Sequence, residues 1–181
     1  MVQKDLRNQL KTVGEDLLIA QSMVEAIASG TIVPSMLSPQ VTIEDVPGGK
    51  TLSVSRDRPI LLEDLKSWAR NVQFSLLSTW ILMVDRALEE KYGEHRLQDT
   101  DLDRQAVRCV IYQMRCAVAH SSYAPRWQVS TGYQRSFTLS NLPSGSVTLN
   151  FAQLNGHPLR PSQLGGWYKI FELLEYAQHF L

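Results

Sequence analysis

The stretch LLEDLKSWARNVQFSLLSTWILMVDRALEEK, residues 61–91, decides how this chain folds. Leu62, Leu65, Ala69, Val72, Leu76, Trp80, Met83 and Leu88 recur at helical spacing, and predict one long helix from about Leu61 to Lys91. Its middle, FSLLSTWILMV, is apolar on nearly every side. Such a helix sits centrally in a bundle or buries its extra face in an oligomer.

On the N-terminal side, Leu6, Leu10, Val13, Leu17, Ala20, Val24 and Ile27 step by fours and threes, the seam of a long amphipathic helix that Gly14 weakens only locally. After Gly30 the pattern breaks at Pro34 and Pro39. VTIEDV and KTLSVS then flank Pro47-Gly48-Gly49 with alternating side chains, which predicts a β-hairpin.

On the C-terminal side a third long helix is expected from Thr100 or Asp101. Thr100 and Asp103 form an imperfect capping box, and Leu102, Ala106, Val110, Met114 and Ala117 face inward. It should stop near His120, ahead of Pro125. SFTLS and SVTLNF, either side of Asn141-Leu142-Pro143-Ser144-Gly145, predict a second hairpin, free to pair with the first as a small sheet beside the bundle. A last helix, from Ser162 or Gly166, carries Trp167, Ile170, Phe171, Leu174 and Ala177 on its apolar face. With no repeat and no linker, the reading is one mainly α domain over 1–181: a bundle of about four long helices with one or two β-hairpin insertions.

Composition removes several classes of function. Lysine plus arginine and aspartate plus glutamate each total 18, so no global field draws the chain to nucleic acid or to an anionic membrane, and any RNA contact must be local. The N-terminal MVQKDLRNQLK is charged where a signal peptide is apolar, and the longest apolar run, Trp80 to Val84, is far short of a membrane span. A cytoplasmic protein is expected. Cys109 and Cys116 fall on one helix with Cα atoms roughly 10 Å apart, beyond disulfide reach, and are expected to be buried, reduced thiols.

The four histidines are scattered, and neither His-Glu-x-x-His nor Cys-x-x-Cys is present, so neither a metal nor a cofactor is expected. Gly165-Gly166 precedes a helix but follows a polar loop, and reads as a helix-entry turn. Glu175 and His179 are spaced as a surface pair.

The segment IYQMRCAVAHSSYAPRW, residues 111–127, is different. Arg115 and His120 close an apolar helix five positions apart. The His120 imidazolium lies at the negative end of the helix dipole, and imidazole suits proton transfer near neutral pH. Arg115 supplies a fixed charge and a fork that fits a phosphate. Together they form a minimal set for metal-free phosphodiester cleavage: a base, an acid and a cation for the charged transition state. The plainer reading is that Arg115 pairs with a carboxylate and His120 caps its helix. Arg104 and Arg108, one turn upstream, either extend a basic strip towards RNA or form a solvated face. Tyr112, Tyr123 and Trp127 either stack on bases or pack in the core.

The Arg115–His120 segment resembles the HEPN superfamily, whose ribonuclease members carry an arginine, four to six residues and a histidine at a helix end. CAVA separates the two here, matching the shortest spacing. The resemblance implies a helical bundle that dimerises so that both motifs face one cleft. It also implies metal-independent RNA cleavage leaving a 2′,3′-cyclic phosphate, in a toxin, defence or RNA-processing role. On that reading Arg115 and His120 are catalytic, and Arg108, Tyr112 and Tyr123 contact substrate. The partners are a second copy, an RNA and an antitoxin-like protein. The alternative within the family is a non-catalytic module that binds a nucleotide, an RNA or a protein, and outside it a plain helical interaction protein.

Two features shape the expected site. The family's ribonucleases place a polar residue after the arginine, whereas Cys116 stands here, followed by Ala117-Val118-Ala119. Five residues turn an ideal helix by about 140°, so Arg115 and His120 flank opposite edges of the apolar face and need a two-fold dimer to share a site.

Overall fold

A computed structural model describes residues 2–38, 40–44, 51–55, 58–120 and 124–181. The chain is mainly helical. Its elements, in order, are α1 (Val2–Ala28), β1 (Gln40–Glu44), β2 (Thr51–Ser55), α2 (Leu62–Tyr92), α3 (Leu102–His120), β3 (Ser136–Leu139), β4 (Val147–Asn150), the single turn α4 (Phe151–Leu154) and α5 (Trp167–Ala177), with short 3-10 turns between them. Two compact units result, Leu18–Gln73 and Met1–Leu17 with Phe74–Leu181. Among the described residues no helix is long and apolar enough to cross a membrane.

The smaller unit, Leu18–Gln73, pairs β1 with β2 in antiparallel register, Gln40 opposite Ser55 and Glu44 opposite Thr51. The Pro47-Gly48-Gly49 turn predicted between them lies outside the described residues. Ile27, Leu65 and Ala69 form its small core, with Val24 and Ile32 packed against it. Asp64 fastens the start of α2, accepting hydrogen bonds from Leu61 N at 3.0 Å and Arg58 Nη2 at 2.9 Å.

The larger unit holds the main core. Leu10 and Leu17 of α1, Leu77, Ile81 and Val84 of α2, most of α3 and Ile170, Leu173 and Leu174 of α5 are all buried in one cluster. Gly14 has a specific use there. A Cβ at this position would lie 3.2 Å from two ring carbons of Trp80, so the missing side chain lets the indole lie against α1. Phe171 meets the same indole edge-on, with ring centroids 5.9 Å apart.

The buried centre of the larger unit is α3, and not α2, for which the pattern offered either a central place or an extra face buried in an oligomer. Ala106, Val107, Arg108, Cys109, Val110 and Ile111 are buried in succession, so this part of α3 is enclosed on every side. Between Phe74 and Glu90 of α2, by contrast, Ser75, Thr79, Leu82, Arg86 and Glu90 remain exposed, a stripe along one face.

Details at element ends also depart from expectation. The N-terminus of α3 is capped by Asp101, not by a Thr100 box: Asp101 Oδ1 accepts from the backbone N of Asp103 and of Arg104, each at 3.1 Å. Leu102, expected inside, is 77% exposed because it precedes the enclosed part of the helix. The second hairpin forms, with Ser136 opposite Asn150, but β4 stops at Asn150. There the Asn150 side chain accepts from Ala152 N at 3.2 Å and starts α4, which the alternation of SVTLNF conceals. Among the described residues β3 and β4 form a two-stranded sheet of their own, as β1 and β2 do, and not the single small sheet expected. Gly165 (φ 91°) closes a 3-10 turn ahead of α5, the expected helix-entry turn.

Candidate functional site

The last two turns of α3 carry Arg115, Cys116, Ala117, Val118, Ala119 and His120. Ala117 and Val118 are buried and fix the helix to the core, while Arg115, Ala119 and His120 are exposed. Cys109 is buried, and burial pushes its thiol up to about 12. Cys116, expected to be buried as well, is only half-buried, because it falls on the helix edge next to Arg115. Both thiols are free.

Arg115 faces α2. Its Nε lies 3.6 Å from Oδ2 of Asp85, with the arginine side chain 44% exposed and the aspartate 3% exposed. Asp85 is also reached by Arg96, whose Nη2 donates to Oδ1 at 3.3 Å and to Oδ2 at 3.4 Å. The same Nη2 donates to Glu89, and the Arg96 guanidinium lies over the Tyr112 ring, 4.2 Å from its centre. Burial raises the Asp85 carboxyl above the ordinary carboxylate range, while Arg96 and Arg115 pull it back. Burial works against the charge on Arg96, but Asp85 and Glu89 outweigh it and hold the guanidinium pKa up.

A cavity of about 620 Å³ opens beside Arg115, lined by Leu82, Asp85, Arg86, Glu89, Glu90, Gly93, Glu94 and Arg115. Four carboxylates and two guanidiniums thus share one wall. His120 is not among the lining residues, so this cavity joins Arg115 to acids and not to its histidine. Among the described residues no three His, Cys, Asp or Glu side chains form a group that could hold a metal ion.

The residues expected to touch substrate are placed otherwise. Arg108 is 2% exposed: Nη1 donates to Asp99 Oδ2 at 2.9 Å and Nη2 to the carbonyl of Gly93. Its charge is consumed inside the protein. Arg104 grips Asp99 with Nε at 2.8 Å and Nη2 at 2.6 Å, so the pair forms no basic strip. Those bonds hold the Asp99 carboxyl down at about 2. Tyr112 is half-buried between the Arg96 guanidinium and the Tyr133 ring, whose centroid is 5.3 Å away. Burial, then its hydrogen bond with Cys116, raises the Tyr112 phenol. Trp127 is core: it is fully buried, and its Nε1 donates to Gln163 Oε1 at 2.9 Å. Tyr123 lies outside the described residues.

Sequence reasoning passed over Asp85, Glu89, Arg96 and Asp99. One signal was present for Asp85. It directly follows the longest apolar run and sits four residues after Ile81 and three before Leu88, on the buried register of α2. A carboxylate there requires a cation nearby.

No family model, no curated protein and no solved structure matches this chain.

Proposed function

We propose that this chain is a HEPN-like, metal-independent endoribonuclease acting as a homodimer in the cytoplasm. His120 is its general acid and base, and Arg115 holds the scissile phosphate. One observation carries the reading. Beyond the enclosed part of α3, the two side chains of the motif stand exposed, with buried Ala117 and Val118 between them as a rigid mount.

The chemistry follows from the residue types. A neutral imidazole takes the proton of a ribose 2′-hydroxyl, and the 2′-oxygen attacks phosphorus. An imidazolium gives a proton to the departing 5′-oxygen as the P–O5′ bond breaks. The products are a 2′,3′-cyclic phosphate and a 5′-hydroxyl. The Arg115 fork binds the non-bridging oxygens, where negative charge grows. Since Arg115 and His120 flank opposite edges of α3, the second copy completes the acid–base pair.

A second reading, a non-catalytic binding or regulatory module, is favoured by the four carboxylates lining the cavity at Arg115. They repel a phosphate and attract a cationic segment of a protein partner, the antitoxin-like case.

Cleavage of RNA in EDTA by the purified protein and by His120→Ala separates the two. The ribonuclease reading expects 2′,3′-cyclic phosphate ends and a loss of roughly 10²–10⁴-fold in the variant. Equal cleavage by both proteins assigns the activity to a contaminant, and a monomer in sedimentation removes the shared cleft.

A further inference from the structure

We propose that Asp85 is a positioning residue for Arg115: the buried carboxylate tethers the guanidinium at its Nε side and leaves the two terminal NH2 groups for a phosphate. The proposal rests on the reading of Arg115 as the phosphate holder.

Asp85, Arg96 and Glu89 form a largely buried cluster. A carboxylate 97% withdrawn from solvent needs a counter-ion, and Arg96, itself only 7% exposed, already supplies one. Arg96 is in turn fixed by Glu89 and by the face of Tyr112. Asp85 is therefore oriented from within, while the one charge of Arg96 is shared with Glu89 and Arg115 brings the second cation to the two carboxylates. Yet Arg96 offers Asp85 a single nitrogen, bonded at 3.3 and 3.4 Å, the long end of the hydrogen-bond range. A carboxylate accepts about four such bonds, so capacity is left on the side facing the cavity.

Arg115 takes up that capacity loosely. Its nearest approach is by Nε at 3.6 Å, an ion-pair distance beyond the hydrogen-bond range. A half-exposed arginine at this distance adds little to stability. What the contact does is restrict the guanidinium plane at the cavity wall. Orientation of this kind matters for phosphate transfer, where misplacement by about 1 Å costs up to a hundredfold.

The test uses the full-length 15N-labelled protein. The Nε–H signal of Arg115, assigned by its loss in Arg115→Lys, is expected to be rigid in the wild type and mobile in Asp85→Asn. In parallel, Asp85→Asn should lower kcat/KM for RNA cleavage about tenfold to a hundredfold, and cause no further loss when added to Arg115→Ala. An equally mobile Nε–H in wild type and Asp85→Asn overturns the proposal. So does an equal loss of cleavage in both backgrounds, which marks a structural role. If Asp85→Asn fails to fold, the wild-type signal decides by itself: a mobile Nε–H overturns the proposal. A wild type that does not cleave RNA overturns the ribonuclease reading alone, because the rigidity of Arg115 still decides the role of Asp85.

Discussion

Arg108 and Arg115 stand seven residues, about two turns, apart on α3, and the molecule treats them in opposite ways. Arg108 is 2% exposed and bonded at 2.9 Å to an aspartate that is itself 2% exposed. Arg115 is 44% exposed and 3.6 Å from its aspartate. The first is part of the interior, while the second stands at the surface. Residue type and spacing are the same in both cases. The difference comes from depth, since α3 is enclosed from Ala106 through Ile111 and exposes side chains again in its last turns.

The contrast breaks most readily at Asp99. Replacing Asp99 with alanine leaves the buried Arg108 charge with the Gly93 carbonyl and the Tyr92 ring but no carboxylate, and should cost about 3–5 kcal/mol in urea unfolding; a loss below about 1 kcal/mol would mean that Arg108 is not held as an interior ion. Acid should remove the same stabilisation. The folded pKa of Asp99 is about 2, against an ordinary 3.8. Its contribution is therefore complete above about pH 4 and disappears as the pH falls through about 2, so the stability gap between wild type and Asp99→Ala should narrow over that window. At the other end of the helix the expected effect on stability is the smallest. Arg115→Ala should cost less than about 1 kcal/mol, while lowering RNA cleavage about 10²–10³-fold. A stability loss equal to that of Asp99→Ala would erase the distinction between the two arginines.

The same contrast shows where the sequence could be read and where it could not. The helices were legible because Leu10, Leu17, Ile27, Leu65, Ala69, Ile170 and Leu174 repeat at the helical period and are buried as that period requires. The hairpins were legible from alternation. What periodicity does not carry is the number of sides on which a helix is covered. That depends on elements distant in sequence, so α3 looked amphipathic and Arg108 looked solvated. Arg96 and Asp99 sit in the connection between α2 and α3, and nothing local to them announces a buried partner. Arg115 and His120 stand out in the sequence because both the residue types and the helix end are local. The carboxylates lining the cavity beside Arg115 come mostly from α2 and reach it only through tertiary packing.

The enclosure of α3 also sets the order of events in time. Its contacts include β3 and α5, both of which follow it in the chain. As the polypeptide leaves the ribosome, α3 therefore exists before the segments that will surround it, and its apolar flanks stay wet until α5 docks. The mount beneath Arg115 and His120 is completed late, so the geometry of this corner depends on closure of the whole unit.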